Sequence, residues 1–427
     1  MKSLISLLIL MLLSPLLKAQ DYYRSEGLRY SNFVYKPEIK SVKLTPKGNS
    51  LGLPLLPLAS NEQLEISFDD LSGELKEYSY SFVHCNADWE DSDLSFLDYC
   101  DGVDQVYFTD YDFSGNTRTK YVRHKASFPN DQIQFRLSGN YLLKVYENGD
   151  PDALVLSWRF MIHEKRVFVK ADIHRPTLAE FRYSHQEVDF SILSPSYQLT
   201  NPYSDMKVNI MKNGRWDNMI LGIAPLFVKD REIEFNYEEE NLFPGGNEYR
   251  FIDLRNSNFS GAGVGRSFAR GDTNFVFLNP EKSRGIKVYQ DQPDINGAWN
   301  MEVNDMMYNS DMDADYAQVF FAVKAPAKLE GQDVYLMGEL SGRQLNPDYK
   351  MIYDGKLGVY KLQTTLKQGY YNYLFVTSKG DDQAGLTREF EGDHAQTENN
   401  YTILVYHKRI QDRHVRLIAA SNFQINF

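Results

Sequence analysis

The side chains best suited to chemistry in this chain stand at His84-Cys85, with Asp88 three positions on, a grouping that could form a Cys/His nucleophile or part of a metal site. A metal site calls for three or four converging ligands, and the chain contains no His-x-His, C-x-x-C or H-E-x-x-H. On a strand, neighbours also point to opposite faces, so His84 and Cys85 would be kept apart. Packing around Trp89 and a capped turn is the expected role. Cys85 and Cys100 are the only cysteines. A bridge between them would add roughly 3 kcal/mol by closing the intervening loop. Two free thiols are the alternative, because spacing alone does not set the Cβ geometry.

Asp311, Asp313 and Asp315 resemble the opening of a calcium loop, but the glycine and glutamate such a loop requires are replaced by Tyr316 and Ala322. An acidic loop leading into a strand is expected. Gly261, Gly263 and Gly265 could suggest a phosphate cradle, yet no helix opens after them and Arg266 begins an Arg/Phe segment. A flexible turn is the expected reading. No pair of carboxylates stands out for glycoside hydrolysis. The chain therefore reads as a non-enzyme, with no cofactor and no metal.

The elements that would carry these residues are strands. Apolar and aromatic residues alternate with polar ones at 63–68, 77–84, 120–126, 141–146 and 154–162. A second set follows at 167–172, 186–193, 207–211, 232–237, 249–254 and 273–278, punctuated by Asn213-Gly214 and Pro244-Gly245-Gly246. A third runs through 317–323, 334–337, 349–353, 357–362, 370–376, 401–406 and 415–427. Helical periodicity is nearly absent. The expected fold is all-β, with tandem immunoglobulin-like or early-set sandwiches at 20–164, 165–285 and 317–427, and an acidic linker or loop at 286–316.

Residues 1–19 read as a signal peptide: a basic start, the apolar run from Leu4 to Leu17, and cleavage between Ala19 and Gln20. The run is too short for a transmembrane helix, and no later stretch reaches 18 apolar residues, so no direct membrane insertion is expected. Gln20 stands where a lipoprotein would need cysteine. The chain carries a net −12, which becomes −14 once Lys2 and Lys18 are removed. Nucleic acid is a poor partner for such a surface.

Several segments together resemble the plug protein family of the type IX secretion system of Bacteroidota. Tyr78-Ser-Tyr-Ser-Phe82-Val-His84-Cys85-Asn-Ala-Asp88-Trp89 carries the likeness first, followed by Ser114-Gly-Asn-Thr117, Tyr121 and Leu137-Ser-Gly-Asn-Tyr141. Later come Ala314-Asp-Tyr316 with Val319-Phe-Phe321, then Val334 to Leu340, and Lys367-Gln-Gly369-Tyr370-Tyr371-Asn-Tyr373. Glu391-Gly392, Thr397-Glu398-Asn399-Asn400-Tyr401 and Val405-Tyr406 complete it. Cys100 lies outside the family pattern. The resemblance implies a periplasmic protein that docks on a SprA-type outer-membrane translocon barrel and seals its periplasmic opening while no substrate is engaged. The shared residues His84, Asp88, Trp89, Tyr141, Gly369, Tyr370, Glu398 and Asn399 alternate as strand residues do and are expected to be structural.

Two other readings use the same strands. The third set also resembles early-set sandwiches that accompany carbohydrate enzymes, and Tyr370, Tyr371 and Tyr373 could offer stacking faces to a glycan, with Tyr370 and Tyr371 on opposite sides. The closing Asn422-Phe-Gln-Ile-Asn-Phe427 alternates like the end of an outer-membrane barrel, although the strands are shorter and less regular than a barrel demands.

Overall fold

In Leu64–Asp70 and Val122–Phe128, antiparallel pairing sets Leu64 opposite Phe128 and Phe68 opposite His124 on one face, and Ser67 opposite Lys125 and Asp69 opposite Arg123 on the other. The first face is apolar and enters a core; the second is charged and awaits a partner. The computed structural model describes residues 27–256, 258–304, 309–380 and 384–425. The expected signal peptide and its Ala19–Gln20 junction lie outside the described residues.

The first sandwich packs two sheets face to face. One runs in the order Ile39–Pro46, Leu64–Asp70, Val122–Phe128, Asp110–Phe113; the other Phe33–Val34, Leu154–His163, Gly139–Glu147, Tyr78–Cys85, Val106–Tyr107. Leu64, Ile66, Phe68, Tyr80, Phe82, Phe128, Tyr141 and Phe160 fill the space between them. The all-β expectation holds here and throughout the described residues.

The boundaries drawn at 165–285, 286–316 and 317–427 do not follow the sheets. The second sandwich sets Phe168–His174, His185–Leu193, Glu232–Phe235 and Phe227–Val228 against Ile220–Ile223, Met206–Lys212, Asn400–His407 and Arg416–Gln424. Its core joins Val188 and Ile192 to Tyr401, Ile403, Val405 and Ile418. The last two strands of the chain thus complete the middle sandwich. They also remove the barrel reading, since the closing segment pairs antiparallel with Asn400–His407 inside this sheet.

The third sandwich is an insertion between these halves. Its strands follow one path, Arg250–Asp253, Gly369–Lys379, Gln332–Met337, Lys350–Asp354, Val359–Lys367, Tyr316–Lys324, Thr273–Leu278, Val264–Arg270. They wrap a core shared by Ile252, Val276, Val319, Val334, Tyr371 and Phe375. Strands read from the sequence at 249–254 and 273–278 therefore belong here, not to the middle domain. Nor is the described part of 286–316 a linker between the second and third sandwiches, since it lies within the third. Trp299–Met301 pairs with Gly369 to Tyr371, and Trp299 is buried.

Candidate functional site

The candidate nucleophile does not assemble. His84 faces the inside of the first sandwich, where its ring bonds Ser92 Oγ at 2.8 Å and the Ser138 carbonyl at 3.2 Å. Burial pushes its pKa down to about 4, so the ring is neutral. Cys85 points the other way, into a cluster with Trp89, Leu142, Leu404, Tyr406 and Leu417. Cys100 lies in the core of the first sandwich, so the sheet stands between the two sulfurs and both thiols are free. Burial raises both thiols, Cys85 to about 12. Asp88 is exposed and accepts the Glu90 N–H at 3.2 Å, capping the turn that presents Trp89.

Others of the side chains singled out by sequence, Trp89, the aspartates at 311–315 and Glu398, lie at joints between sandwiches. At the joint of first and second sandwiches, Trp89 meets Trp216 edge to face with ring centres 5.2 Å apart. The Arg159 guanidinium covers both rings, 4.5 Å from the first and 5.4 Å from the second. Arg159 Nε donates to the Tyr30 carbonyl at 2.7 Å, and Tyr406 Oη donates to Asn140 Oδ1 at 2.7 Å. Backbone bonds from Glu164 N to the Leu417 carbonyl and from Arg166 N to that of Ile418 stitch the same seam.

At the joint of first and third sandwiches, the charged outer face of the first finds its partner. Asp69 accepts from Arg123 at 2.9 Å, from Tyr316 Oη at 2.7 Å and from Lys367 Nζ at 2.6 Å. Lys367 also lies 3.9 Å from the centre of the Tyr121 ring. Burial pushes the Lys367 ammonium down to about 8, which leaves it charged at neutral pH. The three aspartates of the apparent calcium loop do not converge on an ion site. Asp311 pairs with Lys125 and Arg123, Asp313 accepts from Asn116 N, and Asp315 accepts from Arg118 N and Thr119 N. They hold the Ser114 to Thr119 loop of the first sandwich against the third. Asp69 and Arg123 were missed in the sequence, and Lys367 was named there only as a motif residue without a partner; the available signal was a charge at an alternating strand position, which reads as solvent-facing until a partner is known.

The joint of second and third sandwiches is built from amides and carboxylates. Within the second sandwich Asn399 donates to Gln186 Oε1 and to the Gly245 carbonyl at 2.9 Å each and accepts from Asn213 at 2.7 Å, and the Asn213 carbonyl accepts across the joint from Arg343 at 2.7 Å. Glu398 N donates to Glu248 Oε1 at 3.0 Å, and Tyr289 donates to the same oxygen. Burial raises the Glu248 carboxyl to about 7. Arg215 grips Asp217 and reaches across to the Gly385 carbonyl, while within the second sandwich Lys212 Nζ donates to the carbonyls of Pro244 and Gly245. Inside the third sandwich Glu391 is fully buried between Arg250 and Arg284. Burial alone would raise its pKa; the two guanidiniums outweigh that and hold it below the ordinary range.

Tyr141 and Tyr371 play matching parts. Tyr141 Oη donates to the Leu137 carbonyl at 2.7 Å, and Tyr371 Oη to the Lys367 carbonyl at 2.6 Å, each four residues upstream across a Gly-x-Tyr step. This is the tyrosine-corner arrangement, in which one buried hydroxyl fixes a chain reversal at a sandwich edge. Gly369 is required there, because a Cβ would lie 2.4 Å from the Asn300 carbonyl oxygen. Tyr371 and Tyr373 are core residues, while Tyr370 stacks on Phe251 at 5.4 Å. The three tyrosines therefore offer no common platform to a glycan.

Among the described residues, one other group has ligand atoms close enough for a metal: His174, Glu187 and Asp189, within 4.8 Å of one another. His174 Nε2 already bonds Asp189 Oδ2 at 3.1 Å, and Glu187 accepts from Thr177 N at 2.9 Å. No helix among the described residues is long and apolar enough to cross a membrane.

Residues 39–164 match the family model described as the type 9 secretion system plug protein 1st domain. The whole architecture is similar to a crystal structure of a hypothetical protein from Parabacteroides merdae ATCC 43184. That protein is 31% identical, with 93% of this chain and 100% of that one covered at a TM-score of 0.90. A structure of trypsin activated alpha-2-macroglobulin from Escherichia coli aligns at 9% identity over 90% of this chain and 27% of that one, with a TM-score of 0.17 that supports no likeness of fold. No curated protein matches the sequence.

Proposed function

Because the chain belongs to the type 9 secretion system plug protein family, we propose that it is the periplasmic stopper of an outer-membrane translocon of the SprA type, docking on the periplasmic opening and sealing it when no substrate is engaged. Family membership supports a plug-related role in type 9 secretion at the periplasmic side of the envelope. The observation that carries the finer reading is the joint chemistry. Three sandwiches are locked by Asp69–Lys367, Trp89–Arg159–Trp216 and Arg343–Asn213, contacts between residues far apart in the chain. A wide water-filled pore leaks unless something large and rigid closes it, and hinged beads on a string would not. The role needs no chemistry, in keeping with a buried neutral His84 and two protonated thiols.

Affinity purification of the tagged full chain from its own envelope tests this reading. Co-purification of a very large outer-membrane barrel is expected. Loss of the chain should raise envelope permeability when the translocon lacks its other partners; unchanged permeability there would count against the stopper.

A further inference from the structure

The glycine-rich stretch at 261–265 opens an exposed hairpin of Val264–Arg270 and Thr273–Leu278, and the first of these strands is the outermost of its sheet. The hairpin is no flexible turn. A Cβ on Gly261 would lie 2.1 Å from the Asp253 carbonyl oxygen, one on Gly265 2.7 Å from Asn279 Oδ1, and Ser267 Oγ donates to the Asn258 carbonyl at 2.8 Å. The body of the third sandwich fixes it in place.

Residues opposite one another share a face, which puts Arg266 beside Phe277, Phe268 beside Phe275 and Arg270 beside Thr273, with Phe320 next to Phe277 on the following strand. The rings form a stack: Phe268 to Phe275 at 5.4 Å, Phe268 to Phe277 at 6.0 Å, and Phe277 to Phe320 at 4.3 Å within 3° of parallel. The stack is partly exposed, Phe268 by 39% and Phe277 by 37%, with the Arg266 guanidinium 5.0 Å from the centre of the Phe268 ring. Ile352, 70% exposed and opposite Lys361, continues the same face.

An outermost strand with free backbone groups beside a partly exposed aromatic face is a template for strand addition. Charge selects what is added. Arg266 and Arg270 flank Phe268 on its own face, with no ion pair to either among the described residues, in a chain whose net charge is −12. Guarding an edge against self-pairing would account for the arginines alone. It leaves the exposed rings unexplained.

We propose that Val264–Arg270 is the docking edge for an extended acidic segment of the translocon, added as a further strand. Its alternate carboxylates meet Arg266 and Arg270, and its apolar residue between them lies on Phe268 and Phe277. This rests on the stopper reading above and names the surface that reading needs.

The test places a photo-reactive benzoylphenylalanine at Phe268 or Phe277 of the full chain in its native envelope, with Phe168 and Tyr203, exposed on the second sandwich, as control positions. Cross-links to the translocon barrel are expected from the hairpin and not from the controls. Arg266→Glu with Arg270→Glu should lower recovered translocon by about tenfold or more while leaving Tm unchanged. Full recovery by that variant, cross-links only from the controls, or cross-links only to a second copy of this chain would each overturn the proposal. A readout free of the translocon uses the purified chain and a synthetic peptide repeating Glu-Thr-Leu-Thr, in which glutamate and leucine alternate along one face of the strand. Saturable binding that the charge reversal weakens supports the acidic-strand edge; binding indifferent to it, or none, overturns the edge. If the unaltered chain recovers no translocon at all, the stopper reading fails by itself, and the peptide result decides the chemistry of the edge separately.

Discussion

Lys367 Nζ lies 2.6 Å from Asp69 Oδ2 across the joint of first and third sandwiches, and neither side chain has any exposed surface. Taking two charges out of water is expensive, and the pair persists because Arg123 and Tyr316 complete the hydrogen bonding of the same carboxylate.

Removing one partner leaves the other charge buried and alone. Lys367→Met should destabilise the protein by about 3–5 kcal/mol. Urea unfolding of Lys367→Met, Asp69→Asn and the double variant checks this, and the double variant should lose clearly less than the sum of the singles.

The two tyrosine corners sit in separate cores, Tyr141 in the first and Tyr371 in the third. Tyr141→Phe and Tyr371→Phe should each cost about 1 kcal/mol. Because the sites share no partner, the losses should add; a markedly larger loss in the double variant would mean that the two sandwiches unfold through a shared element.

Glu248 gives the joint of second and third sandwiches a pH dependence. Burial raises its carboxyl to about 7, so in the native state it holds a proton that the unfolded chain, with an ordinary value of about 4.3, has released. Its contribution to stability is present below the unfolded value and lost as pH rises through about 7. Glu248→Gln should therefore match the parent near pH 4.5 and exceed it in Tm by a growing margin up to pH 8. A constant margin across that range would show that Glu248 does not titrate as stated.

Both thiols are buried and protonated in the fold. Ellman's reagent should find no reactive thiol in the native protein at pH 8 and two after unfolding in guanidinium. A count of zero after unfolding would demonstrate a bridge.

A chain stopped after Asp393 loses Asn400–His407 and Arg416–Gln424, and with them half of one sheet of the second sandwich. Limited proteolysis of that truncation should degrade residues 165–245 rapidly, although they precede the deletion by more than a hundred positions. Survival of that segment would show that the second sandwich closes without the C-terminal strands.

Strand existence was legible because it is local. The alternation in 186–193, 317–323 and 370–376 appears as Val188, Phe190 and Ile192, Val319 and Phe321, and Tyr371, Tyr373 and Phe375 facing cores. Missed strands were those with weak alternation, such as Val264–Arg270, where exposed glycine and arginine hide the pattern. The site was less legible. Trp89, Tyr141 and Asn399 could be named from the sequence, but their partners Trp216, the Leu137 carbonyl and Gln186 could not.

By itself the sequence determined the all-β class, the family resemblance and the residues that mark it, since side-chain alternation and short motifs are properties of neighbours along the chain. Only the tertiary structure decided that the C-terminal strands close the middle sandwich, that His84 and Cys85 part to opposite faces, and that Asp69 meets Lys367. The physical reason is that a strand's hydrogen-bonding edge accepts many partners equally well; which one it takes depends on the burial of apolar faces and the pairing of charges over hundreds of residues.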